Sequence, residues 1–348
     1  MGTQLREAPG PRQARAPPTP HAASGDRDQP TLILKITFFT AGGPFGKRAL
    51  ESLAADHEIL AVVRPADSAP AWKRLARVPA RWLRLRHRDV VGDSLRGTAI
   101  PSISAVSGND GTIARELASA QPDLICIATF PWLLPPEILA IPRYGVVNLH
   151  PSYLPRHRGP NPLFWTYYHD DRTGGVSAHM ADARADTGPL LVQESIDIPR
   201  GWPSSQLYLA TAAAGARVLH SAVESIERGT VRPVPQAEHL STPAPRLKNG
   251  TAMIDSSSWD VERTWHFLAG LNPWYKEPLT TPVGRLVRYG DVVGFERGSP
   301  KGRAGHVRPT SGGWALTCRD GEVHLGRHSL VPTRVSVDPG TAQKRPAP

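Results

Sequence analysis

The run TLILKITFFT at residues 31–40, followed by AGGPFG and then KRALESLAAD, narrows the possible folds more than any other stretch. Its β-branched and aromatic residues read as a buried strand, and Leu50, Leu53 and Ala54 recur on one face of a following helix. Strand, glycine-rich turn and helix make the opening of a Rossmann-like unit. Gly42, Gly43 and Gly46 do not form a GxGxxG pattern, so a dinucleotide site is not implied. A tight turn that lets the helix pack closely on the strand is the simpler reading of these glycines. Further short apolar runs follow in HEILAVVRP, TAIPSISAV, Leu124 to Thr129 and Tyr144 to Val147. A helix over GTIARELASAQ, with Asp110 as its N-cap, separates two of them. This alternation predicts an α/β class with a Rossmann-like, mostly parallel sheet.

The chemistry concentrates in residues 144–165, YGVVNLHPSYLPRHRGPNPLFW. A strand that ends in Asn148-Leu149-His150 points both polar side chains to one face, because direction alternates along a strand. The carboxyl ends of parallel strands are where ligands sit in such sheets. Asp186 follows in a polar loop just before Thr187-Gly188 and a further strand. An amide such as Asn148 can donate to a carbonyl oxygen that becomes an oxyanion. An imidazole such as His150 can shuttle a proton or, when charged, help to hold that oxyanion. A carboxylate such as Asp186 can orient and charge-stabilise the imidazole. No activated Ser or Cys accompanies them, which favours direct acyl transfer to an amine over a covalent acyl-enzyme. A lone histidine at a strand end is more often structural, so the weight rests on the whole string.

That string, NLHPSYLPRHRGPNPLFW followed by DTGPLL, resembles the signature of the folate-dependent formyltransferases, N-x-H-x-S-L-L-P-x-x-R-G and then D-x-G. The resemblance implies the formyltransferase fold, with Asn148, His150 and Asp186 as the catalytic trio. It also implies 10-formyltetrahydrofolate as donor and an amine as acceptor. By the same carry-over, Ser152, Tyr153, Leu154 and Pro155 line the folate site, with Tyr153 standing where the family usually has Leu. Phe130, Trp132 and Leu133 are expected to wall the pterin pocket or to close the core, and Phe130-Pro131 replaces the usual Tyr-Gly pair. Asp182 is expected in the folate-facing loop. Two nearby aspartates without His or Cys at ligand spacing do not imply a metal.

The remaining sequence bears on organisation and partners. Residues 1–30, rich in Pro, Ala and Arg, read as a disordered tail, and their six prolines argue against an amphipathic transit helix. Residues 31–230 form the expected catalytic domain, 231–250 a proline-rich linker, 251–335 a small β-barrel or OB-like domain, and 336–348 a second disordered tail. Between 71 and 96, eight Lys or Arg face two Asp, with Trp72 and Trp82 interleaved. Phosphate contacts with RNA and a merely solvated amphipathic helix are both open for this segment. The IDSSSW start and LNPW turn resemble the C-terminal domain of the methionyl-tRNA formyltransferases, a module that sugar-nucleotide formyltransferases also carry. The favoured acceptor is therefore the amino group of methionyl-tRNA. A small amine such as a nucleotide-linked amino sugar is the enzyme-level alternative, and a non-catalytic RNA-binding relative the third. Cys126 and Cys318 offer neither a disulfide framework nor a metal cluster. No apolar run approaches the roughly 18 residues of a membrane span. A monomeric, cytoplasmic protein is the expectation.

Overall fold

The computed structural model describes residues 32–66, 90–248 and 250–327. Both terminal tails, residues 71–89 of the basic segment and the expected strand SLVPTRV lie outside the described residues.

The strands β1 (Lys35–Thr40), β2 (Glu58–Pro65), β3 (Ser102–Ala105), β4 (Leu124–Ala128), β5 (Val146–His150), β6 (Thr173–Met180) and β7 (Leu190–Asp197) form one sheet of order β3-β2-β1-β4-β5-β6-β7. The first five run parallel, while β6 and β7 join antiparallel. The order reverses at β1, which lies between β2 and β4, so a crevice opens beyond the carboxyl ends of β1 and β4. β5 is the next strand over, and it carries Asn148 and His150 to that same edge.

The apolar runs read as continuous because both faces of the sheet are covered. Phe38 and Val147 enter a core with Phe45, Leu53 and Leu219, whereas their neighbours Phe39 and Val146 enter a second core with Ile113 and Leu117. Helix α1 (Gly43–Ala54) packs on the long helix α6 (Ser204–Glu227) over the first face. α1 starts inside the glycine turn, four residues before the expected Lys47, with Pro44 in its first turn where the missing N–H costs nothing. A Cβ at Gly46 would collide with Thr40 Oγ1, which is why helix and strand approach so closely there. Leu53, further along the same helix, is fully buried in the first core, so Leu53→Ala should cost about 2–5 kcal/mol. α2 (Val90–Leu95) and α3 (Gly111–Ala120) follow in the first half, and Asp110 caps α3 by accepting from Thr112 N at 3.0 Å.

After α4 (Pro136–Leu139), α5 (Pro162–Tyr168) and α6, the chain forms α7 (Val261–Leu271) and a separate antiparallel sheet. Its strands are β8 (Tyr289–Arg297), β9 (Val307–Thr310), β10 (Gly313–Cys318) and β11 (Gly321–Arg327), ordered β8-β11-β10-β9. The expected small β unit is thus a four-stranded sheet with one helix packed on it. Its core is shared. Phe164 and Tyr167 of α5 pack in one cluster with Trp259, Phe267, Leu316 and Val323. Charged groups run across the same boundary, from Asp170 to Arg200 to Glu262 to Arg297 to Asp320. No helix among the described residues is long and apolar enough to cross a membrane.

The segment 231–250, read from its prolines as a linker, lies through residues 231–248 along the loops that follow β5 and β6. Val234 and Leu190 exchange two backbone hydrogen bonds at 2.8 Å, and Arg158 and Ala244 are joined through Ala244 N to Arg158 O at 2.6 Å. The segment is irregular because it pairs through isolated bridges rather than a ladder.

Candidate active site

The antiparallel turn of the sheet builds the centre. Asn148 on β5 and His179 on β6 are direct register partners, so their side chains stand side by side on one face. Asn148 Nδ2 lies 3.1 Å from His179 Nε2 and donates to Asp186 Oδ1 at 3.0 Å. His179 Nδ1 is 2.8 Å from the Met180 carbonyl oxygen, which places its proton on Nδ1 and leaves Nε2 to accept from Asn148. His150 Nε2 is 2.9 Å from the His157 carbonyl oxygen and so carries that ring's proton. Its Nδ1 faces Asp186 Oδ1 at 3.5 Å.

Asp186 sits in the left-handed region at φ +56°, an uncommon conformation for a residue with a side chain. Its second oxygen accepts from Gly159 N at 2.8 Å. Gly159, at φ +121°, brings its backbone so close to Ala244 that a Cβ would come within 2.8 Å of the Ala244 carbonyl oxygen. Burial opposes the Asp186 charge, but His150, His179 and the Gly159 N–H outweigh it and hold the carboxyl at about 2. Burial pushes His150 below its ordinary value, with Asp186 opposing the shift. The centre is therefore an ionised carboxylate beside a neutral imidazole whose Nδ1 lone pair is available.

These groups open into a cavity of about 460 Å³. Asn148, His150, His179 and Asp186 line its polar end, and Phe130, Trp132 and Leu133 wall the apolar end. Asp182 lines it too, while accepting from Thr187 Oγ1 at 2.7 Å and Arg184 N at 2.9 Å. Ser152, Tyr153, Leu154 and Pro155 lie outside the lining. Ser177 and Gln193 draw that loop toward β6 and β7, since Leu154 N donates to Ser177 Oγ at 3.0 Å and Gln193 Nε2 donates to Leu154 O at 2.9 Å. Leu154 is buried and Tyr153 is 45% exposed. Among the described residues no group of three His, Cys, Asp or Glu side chains is placed to hold a metal ion.

Four further residues were not singled out by sequence reasoning. His179 reaches Asn148 only through the β5–β6 register, and its one local signal is a titratable residue near the end of the uncharged strand GGVSAHM. His157 Nε2 and Asp171 Oδ2 lie at hydrogen-bond distance, 2.6 Å, directly behind the carbonyl that receives the His150 proton. Gln236 reaches the Asp186 loop from the proline-rich segment.

An Asn–His–Asp cluster beside a sheet's switch-point crevice, in a cavity lined with aromatic side chains, has the groups that acyl transfer requires. The formyl transferase family matches residues 35–223, and the chain belongs to that family, whose donor is 10-formyltetrahydrofolate. A methionyl-tRNA formyltransferase of Clostridium perfringens is 30% identical over 262 residues, 75% of this chain and 78% of that relative. An N-formyltransferase of Helicobacter canadensis, solved with folinic acid and dTDP-3-aminofucose, shares the fold at TM-score 0.59 and 14% identity, over 85% of this chain and 99% of that one. HypX of Aquifex aeolicus in complex with tetrahydrofolic acid does so at TM-score 0.56 and 18% identity, over 84% of this chain and 44% of its own.

Proposed function

We propose that the chain formylates the amino group of methionyl-tRNA, with Asn148, His150 and Asp186 carrying the transfer. The observation that supports the chemistry is the neutral His150 Nδ1 beside the ionised Asp186 at the polar end of the cavity. The support for the acceptor is the likeness to methionyl-tRNA formyltransferases over three quarters of the chain.

In this reading the apolar wall of Phe130, Trp132 and Leu133 holds the pterin, and the formyl carbon of 10-formyltetrahydrofolate lies over Asn148 and His150. The unprotonated amine attacks that carbon, forming the new C–N bond while the carbonyl oxygen takes negative charge. Asn148 exchanges its bond to His179 for one to that oxygen. His150 Nδ1 accepts the proton that the amine loses, and the imidazolium pairs with Asp186. The proton then passes to N10 as its bond to the formyl carbon breaks, giving the formamide and tetrahydrofolate.

The test is formyl transfer from 10-formyltetrahydrofolate to methionyl initiator tRNA across salt concentrations. Formylation that weakens steeply with salt is the expected result, because phosphate contacts release counterions. Donor turnover with a nucleotide-linked amino sugar and none with the tRNA overturns the acceptor while keeping the chemistry.

A further inference from the structure

We infer that Gln236, in the proline-rich segment 231–248, is a positioning residue that holds Asp186 in its working conformation. The Gln236 carboxamide is buried and fully used. Its Nε2 donates to the backbone carbonyl of Asp186 at 2.9 Å and to that of Gly188 at 2.7 Å. Its Oε1 accepts from Arg158 Nε at 3.0 Å and from a terminal Arg158 nitrogen at 2.7 Å. Arg158 is in turn fixed by Glu238, two residues along the same segment, through two bonds of 2.8 Å.

The two carbonyls bracket the loop at the point where Asp186 turns left-handed. That conformation is uncommon for a residue with a side chain, though Asp tolerates it better than most, and it is held where the surrounding hydrogen bonds fix the backbone. The amide supplies two donors at the correct spacing, and Arg158 fixes which end of the amide faces the loop. Arg158 also precedes Gly159, whose N–H holds the Asp186 carboxylate. One side chain thus ties together the two backbone stretches that aim Asp186 at His150 and Asn148. The inference rests on Asp186 acting in the proposed transfer, but the geometry it describes is measurable without turnover.

The experiment uses the full chain with Gln236→Glu, which keeps the Arg158 bonds but loses both donors, and Gln236→Ala. The readout independent of activity is exchange of the Gly159 amide, whose partner is the Asp186 carboxylate. We expect it to exchange at least about tenfold faster in both variants, while the Leu190 and Val234 amides keep their protection. Unchanged Gly159 protection overturns the proposal. So does equal loss at Leu190 and Val234, because Gln236 then only fastens the segment.

In transfer assays, kcat should fall by about tenfold to a hundredfold with the donor KM nearly constant. In Gln236→Ala the acid limb should move to lower pH, since the Asp186 charge that supports His150 protonation has shifted. His157, His179 and Arg158 face this pair, and Asp182, Arg184 and Arg246 line the same cavity; Gln236→Ala changes none of these charges, whereas Gln236→Glu adds a carboxylate beside Arg158. Wild-type kinetics in Gln236→Glu overturn the positioning role. An inactive wild type overturns the proposed function instead, and the amide exchange still decides the role of Gln236.

Discussion

Two buried histidine–aspartate pairs stand back to back in this protein. His157 Nε2 and Asp171 Oδ2 meet at 2.6 Å, and the other Asp171 oxygen accepts from Arg156 at 2.6 Å. His150 and Asp186 are separated by 3.5 Å, and Asp186 Oδ1 is shared with Asn148. The shorter pair has the look of chemistry, yet both its oxygens are taken and neither residue lines the cavity. The looser pair has a free nitrogen lone pair, an ionised carboxylate and about 460 Å³ of space beside it. Reactivity follows unsatisfied valence at an accessible surface rather than short distance. The tight pair fixes the His157 backbone, whose carbonyl takes the His150 proton and thereby selects the tautomer with Nδ1 free.

The largest expected effect separates the two carboxylates. Asp186→Asn should lower kcat by about a thousandfold, and Asp171→Asn by less than about tenfold with a loss of stability. Single-turnover rates and thermal melts on both variants check this; equal loss of rate at unchanged melting temperature would erase the distinction. Next, the wild-type rate should fall as pH drops through a value below the ordinary 6.5 of His150, because protonation removes the Nδ1 lone pair. In Asp186→Asn the residual rate should hold to still lower pH, and a pH–rate profile that does not move would detach Asp186 from His150. On the donor side, Trp132→Ala should raise the KM for 10-formyltetrahydrofolate by about tenfold through lost apolar contact.

Stability supplies a third histidine to set against the pair. His266 accepts from Gly201 N at 2.9 Å through Nδ1, and burial together with Arg200 holds it at about 4. A histidine whose folded value is depressed binds its proton more readily when unfolded, so stability is full above about 6.5 and declines as pH falls toward 4. That decline should reach about 3 kcal/mol and shrink in His266→Asn, measured as melting temperature against pH. Asp186 adds a further loss at lower pH, between the ordinary carboxylate value of 3.8 and about 2. The smallest effect belongs to Tyr153→Leu, which should change donor KM by less than about twofold because Tyr153 lies outside the cavity.

Much of this architecture was legible because the relevant signals are local. The β-branched runs of β1, β4 and β5 announce strands buried on both faces, and alternation alone puts Asn148 and His150 together. The role of Asp110 as a cap follows from one residue and its neighbours. What stayed hidden depends on register and on irregular backbone. His179 meets Asn148 because β6 runs antiparallel to β5, a pairing between residues 31 apart that no local pattern encodes. Gln236 lies among prolines that suppress any period, so composition describes the segment as a connector while its hydrogen bonds make it part of the site. The Ser152–Pro155 loop follows the motif except at Tyr153, and its bonds to Ser177 and Gln193 on β6 and β7 join residues too far apart in sequence for any local pattern to show.

The shared core under α5 also governs how this protein can be taken apart. A chain cut at residue 250 would uncover Phe164 and Tyr167, which are buried in one cluster with Trp259 and Phe267. The helix so stripped begins two residues after Pro160, directly behind the loop that aims Gly159 at Asp186. A transplant of the second module between relatives would have to carry matching aromatic partners on α5, or the graft would loosen the catalytic loop from behind.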